Sequence, residues 1–282
     1  CDAAIIFAER HAELAEKMAA EETNPQRKAE LEKIADVCRW VPAHAPRDLH
    51  EAIQMYWFVH LGTVTELNGW DSMNPGHIDQ HLWPFYQKGI ADGTLTREKA
   101  KELFYDHVKH VVSRTNTVTG KPYKDDPAIF SWQIGNEPRC FRADKEGQDA
   151  FVDYMWTTAA LIKSIDPNHM VSSGSEGEWG CENSMELYER IHSCPDIDYM
   201  NIHIWPYNWS WVRENTLATN LPVAIKNTDD YIDAHLALAA KYGKPVVLEE
   251  FGFPRDGFQF KQGTSTDSRD AYYKHVFGRI VE

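Results

Sequence analysis

The apolar positions of this 282-residue chain change their period part-way along it. In the first hundred or so residues they recur every three or four positions, the spacing of amphipathic helix. Ile5, Ile6, Leu14 and Met18 mark one such stretch, and Leu31, Ile34 and Val37 a second. Asp48, with Glu51 three residues on, makes a capping-box-like start for a third helix running toward Leu67. Its apolar face would carry Ile53, Tyr56, Trp57, His60, Leu61 and Val64. Asn68-Gly69 and Pro75-Gly76 punctuate a loop, and a further helix capped near Thr96 runs through Leu103, Val108, Val111 and Val112. Beyond that point short apolar runs alternate with helical ones. Ile129–Ile134, Met170–Ser173, Tyr199–Ile204 and Val246–Leu248 read as strands. Helices are expected around Phe151–Ile165, Met185–Ile191 and Asp229–Tyr242. Strands that alternate with helices predict parallel βαβ units.

Charge narrows the partners. Lys plus Arg total 29 against 43 Asp plus Glu, a net charge of -14. So acidic a chain repels phosphate backbones and anionic lipid surfaces, which argues against nucleic-acid and membrane partners. No apolar run is long enough to span a bilayer. The five cysteines (Cys1, Cys38, Cys140, Cys181 and Cys194) are scattered and contain no Cys-x-x-Cys, so neither a disulfide framework nor a zinc site is indicated. Ten tryptophans suit sugar binding and a large core equally well. The chain begins at Cys1, without a signal peptide, and is expected to be a fragment.

Two glutamates stand out. Glu137 ends Trp-Gln-Ile-Gly-Asn-Glu, and Glu250 sits in Pro-Val-Val-Leu-Glu-Glu-Phe-Gly, each at the end of an expected strand. Carboxylates at the carboxyl ends of barrel strands are where active sites are built, and two of them facing one sugar suffice for glycoside hydrolysis. The competing reading is two surface glutamates at strand ends. Glu249, by strand alternation, should point to the opposite face from Glu250. His203 and Trp205 share a face of the Tyr199–Ile204 strand by the same rule.

Four motifs, in order, carry a resemblance: the approach from Arg114 to Pro127 with Asn136-Glu137-Pro138, then Gly174-Ser-Glu-Gly177, then His203-Ile-Trp205-Pro206, then Glu249-Glu250-Phe251-Gly252. From about residue 105 onward the chain resembles the retaining glycoside hydrolases of family five, most closely their endo-β-1,4-mannanases. The resemblance implies the fourth to seventh strands of a partial (β/α)8 TIM barrel, preceded here by an all-helical segment, with the first three strands and the eighth missing. It implies Glu137 as acid/base, Glu250 as nucleophile and Asn136 as a ligand of the sugar 2-hydroxyl. It also implies a β-mannan substrate, no cofactor, and an extracellular or periplasmic setting. Where the family usually places a tyrosine on the nucleophile this chain has Trp205, which can donate one hydrogen bond or stack on sugar. Trp179, Trp209 and Trp211 could be sugar platforms or core. An incomplete barrel would need self-association, or cover from the helical segment, to shield its open edges; failing that, the chain would be an inactive half-barrel.

Residues 1 to about 103 resemble something unrelated, an internal piece of the glycyl radical enzymes of the pyruvate formate-lyase group. The segments that carry it are Asn24–Ile34, Val41–His44, Asn68–Gln80 and Gly93–Glu98. The radical glycine loop and thiyl cysteine of those enzymes are not in this sequence, so the piece is expected to be silent in radical chemistry. The seam falls near residues 104 and 105. Metal readings are weak: His77-Ile-Asp79-Gln-His81 lies inside the glycyl-radical-like motif, Gln54 breaks the zincin-like start at His50-Glu51, and His107 with His110 reads as a solvated helix face.

Overall fold

A computed structural model describes residues 2–67 and 78–281. The expected Asn68-Gly69 and Pro75-Gly76 turns, and His77, lie outside the described residues. The chain forms two compact units, Cys1–Leu103 and Phe104–Glu282.

The first unit is helical: α1 (Asp2–Glu21), α2 (Pro25–Trp40), α3 (Leu49–Gly62), α4 (Ile78–Asp92) and the start of α5 (Arg97–Val112). Asn24 caps α2 by accepting from the N–H groups of Gln26 and Arg27, with Pro25 in the first turn. The face of α1 that packs is not the one its larger apolar residues mark. Ala8, Ala12, Ala15 and Ala19 are buried, while Ile6, Leu14 and Met18 are exposed. Small residues at three- and four-residue spacing let two helix backbones approach closely, and the bulkier side chains are left outside. Likewise α3 buries Glu51, Ala52 and Phe58, whereas Ile53 and Trp57 face solvent. Asp48 does cap α3 by accepting from the Glu51 N–H at 2.9 Å. Glu51 itself turns to Arg47, taking its N–H at 2.6 Å and its guanidinium, so the box closes one residue earlier than expected. A π-helical turn, Thr63–Leu67, continues α3.

The second unit alternates as the pattern requires: β1 (Ser131–Gln133), α6 (Lys145–Ile165), β2 (Met170–Ser172), α7 (Met185–His192), β3 (Met200–Ile204), α8 (Leu221–Tyr242), β4 (Val246–Phe251) and α9 (Asp267–Val281). β1 pairs parallel with β2, and β3 with β4. Between the pairs run the Asp198 N–H to Val171 O bond at 2.9 Å and the His203 N–H to Glu176 O bond at 3.2 Å. Among the described residues the strands therefore make two two-stranded parallel sheets, and they do not close into a barrel. The expected partial barrel is met only by its βα alternation. Met155, Ala159 and Ile162 of α6, Leu187, Tyr188 and Ile191 of α7, and Met200, Ile202 and Ile204 of β3 form the core. β3 is buried at every residue, while β4 is half-buried throughout.

Candidate active site

The site is assembled at the carboxyl ends of the strands. β1 runs into Gly135-Asn136-Glu137, where Glu137 takes a left-handed backbone conformation with φ 48°. That conformation is strained for a residue with a side chain, and such strain persists where the surroundings enforce it. Here the Glu137 N–H donates to Gly174 O at 2.8 Å. Gly174, at φ +75°, lies so close that an added Cβ would sit 1.7 Å from Gly135 O. Two strand ends pressed backbone to backbone thus aim the Glu137 carboxyl.

His203 organises what that carboxyl meets. It is 1 % exposed and hydrogen-bonds through Nδ1 to Glu137 Oε1 at 2.9 Å. The same nitrogen lies 3.5 Å from Glu250 Oε2. Trp205 follows two residues along, and its indole Nε1–H donates to Glu250 Oε2 at 3.1 Å. One atom each of Glu137, His203 and Glu250 lie within 4.8 Å of one another. Burial alone would lower the His203 pKa, but the contacts with Glu137 and Glu249 and the charge of Glu250 raise it to about 9. A protonated imidazole donates from Nδ1, and its charge lies between the two carboxylates.

Glu249 is a correction to the sequence expectation. The register of β3 against β4 slips between Ile202 and His203, so that His203 pairs with Glu250 and a bulge accommodates Glu249. Bulges re-aim side chains. Glu249 consequently approaches the far side of the same histidine, with Oε2 3.5 Å from His203 Nε2. Tyr199 Oη (2.9 Å), Asn201 Nδ2 (3.0 Å) and Gln133 Nε2 also donate to it. Burial pushes the Glu249 carboxyl up, yet His203, Tyr199 and Asn201 together hold it below the usual range.

Glu176, inside the Gly174-Ser-Glu-Gly177 motif but without an expected role, is 2 % exposed, and its Oε2 pairs with Arg139 at 2.5 Å. Asn136 is exposed and takes no part in this network. Trp179 stacks on Trp209 with centroids 5.0 Å apart, and Trp211 meets Trp209 edge-on at 5.1 Å, so these rings pack on each other beside the core. An open cavity of about 960 Å³ lies along the loop after β3, lined by Tyr207, Arg213 and Glu214 among others; neither Glu137 nor Glu250 lines it.

Comparison with known proteins decides the family. A family model described as GH family 5 beta-mannosidase-like matches residues 64–282. The chain belongs to this family. Mannan endo-1,4-beta-mannosidase 1 of Oryza sativa subsp. japonica is 32% identical over 211 residues, covering 69% of this chain and 45% of that protein. A glycoside hydrolase family 5 mannosidase from Rhizomucor miehei superposes with TM-score 0.58 at 26% identity, over 90% of this chain and 60% of that one. The chain thus spans about half the length of the curated mannanases it matches. The leading part matches a second family: residues 1–123 match a pyruvate formate lyase-like model. Over 103 residues there it is 53% identical to trans-4-hydroxy-L-proline dehydratase of Clostridioides difficile, 36% of this chain and 13% of that enzyme.

Proposed function

We propose that the second unit is a retaining hydrolase of internal β-1,4-mannosidic bonds, with Glu250 as nucleophile and Glu137 as acid/base. The observation that carries this reading is the carboxylate pair held within 4.8 Å with His203 between. Retaining enzymes keep the two carboxyls about 5–5.5 Å apart, too close for an intervening water. Glu250 attacks the anomeric carbon while Glu137 protonates the leaving oxygen. Glu137 then takes a proton from water, whose oxygen displaces Glu250. The Trp205 N–H and His203 hold Glu250 in place through this cycle. β1 to β4 stand for the fourth to seventh strands of a (β/α)8 barrel, a reading supported by the family match and the order of the four motifs. In this reading Asn136, exposed beside Glu137, hydrogen-bonds the sugar 2-hydroxyl.

The mannanase relatives support a β-mannan substrate, and a family 5 mannosidase from Rhizomucor miehei has been captured with mannosyl-fructose. A non-catalytic reading is favoured by one observation, the two unclosed sheets. The test is reducing-sugar release from soluble β-mannan by the full chain beside Glu250→Ala. Release that disappears in the variant supports hydrolysis by this pair. Folded protein that releases nothing leaves the half-barrel as a scaffold with idle glutamates.

A further inference from the structure

A general acid must hold a proton until the leaving oxygen takes it, and Glu137 is poorly placed to do so alone. The His203 hydrogen bond, outweighing burial, holds its carboxyl below the ordinary range. A second carboxyl stands beside it. Glu176 is buried, with Oε2 on Arg139 at 2.5 Å, while its Oε1 is buried without any hydrogen-bond partner. A buried carboxylate oxygen that faces no donor is costly. A proton there removes the charge and turns the orphaned acceptor into a donor, and Glu137 is the neighbouring carboxyl, its main chain bound to Gly174 two residues before Glu176 and its turn sharing Arg139 with it.

The main chain holds the arrangement. Glu137 N–H is bound to Gly174 O, and Glu176 O accepts from both the His203 N–H (3.2 Å) and the Tyr231 hydroxyl (2.8 Å). Arg139 belongs to the same turn as Glu137. Of the other titratable groups near Glu176, burial raises Tyr231, and Cys181 to about 12, which keeps both neutral. That leaves Glu137, its partner His203, and Arg139 as the charges that matter.

We propose that Glu176 is a positioning residue for the acid/base: it and Glu137 share one proton, which rests on Glu176 Oε1 and moves to Glu137 when substrate is bound. This rests on the hydrolase reading above. Glu137 passes that proton to the glycosidic oxygen as the bond to the leaving group breaks and the Glu250 bond forms. The pair is then doubly negative beside Arg139, which strengthens Glu137 as a base. Glu137 next takes a proton from the attacking water, the Glu250 bond breaks, and the pair again holds one proton. No outside proton is required. In line with this geometry, burial and the neighbouring Glu137 push the Glu176 carboxyl up to about 7.

The deciding measurement is an infrared titration of the full chain carrying isotopically labelled glutamate, which requires no activity. Wild type should show one carboxyl titrating near neutrality that is lost in Glu176→Gln and, with aspartate labelled as well, kept in Glu176→Asp. Absence of such a carboxyl in folded wild type, or its persistence in Glu176→Gln, overturns the proposal whether or not the chain hydrolyses mannan. If the chain is active, Glu176→Gln should lose at least about tenfold more kcat/KM on a mannoside with a poor leaving group than on a dinitrophenyl mannoside, whose departure requires little acid assistance. Equal losses on the two would show a merely structural role and refute proton sharing.

Discussion

Replacing His235 of α8 with glutamine removes a titrating group that is fully buried. Its Nε2 accepts the Glu178 N–H at 3.0 Å, so the ring proton must sit on Nδ1, facing Tyr231 O at 2.7 Å. A second proton on Nε2 would set donor against donor. Burial lowers the His235 pKa from 6.5 to about 4, against the Tyr231 carbonyl, whose hydrogen bond to Nδ1 raises it. The unfolded chain therefore takes up a proton below about pH 6.5, which the folded chain refuses until about pH 4. The stability His235 contributes is fully present above that window and is lost as pH falls through it. A shift of this size corresponds to about 2 kcal/mol at pH 5 and about 3 kcal/mol at pH 4. Against a typical total of about 5–15 kcal/mol that is a large share. Glutamine can still accept from the Glu178 N–H but does not titrate. Urea unfolding followed by tryptophan fluorescence at pH 7 and pH 5 should show the stability gap between wild type and His235→Gln narrowing by about 2 kcal/mol. A gap that stays constant would refute the argument. His192, lowered to about 4 chiefly by burial, should keep part of the acid sensitivity in the variant.

Two further outcomes concern the candidate site. Trp205→Phe removes the donor to a Glu250 carboxylate that is 37 % exposed, so solvent offsets part of the loss. About 1 kcal/mol, or roughly fivefold in kcat/KM on mannan, is expected, and an unchanged value would remove Trp205 from the mechanism. Glu249→Gln should lower the His203 pKa from about 9, since one of the carboxylates that raise it is gone while Glu137 and Glu250 remain. Imidazole resonances titrated by NMR would read this directly, and an unmoved His203 would mean that Glu249 acts on packing alone.

The sequence announced the elements that carry a strong period. β2 and β3 lie within a residue of where the apolar runs place them, and α7 begins at Met185 as expected. Helix α4 was missed because Pro84 and the polar residues around it blur its stripe, and α9 because it follows a loop rich in Gly, Thr and Ser. The apolar face of α1 misled because alanines, not isoleucine or methionine, make the closest contact. At the site, Glu137, His203, Trp205 and Glu250 could be read from motifs and are brought together. Glu249 could not, since strand alternation holds only where pairing is regular, and the bulge at His203 is set by two strands jointly. Glu176 lay in plain sight within a motif; its significance comes from a missing donor, which only three dimensions reveal.

Gly174 supplies no atom to the chemistry, yet its φ of +75° and the 1.7 Å at which an added Cβ would meet Gly135 O leave no room for any other residue. It therefore separates two histories that are usually entangled. In a lineage that ceased to cleave glycans, Glu137 and Glu250 would be released from selection and drift, while Gly174 would persist for as long as the two strand ends meet. Descendants with the glycine but without the glutamates would be retired enzymes. Descendants that had lost the glycine would have given up the architecture itself.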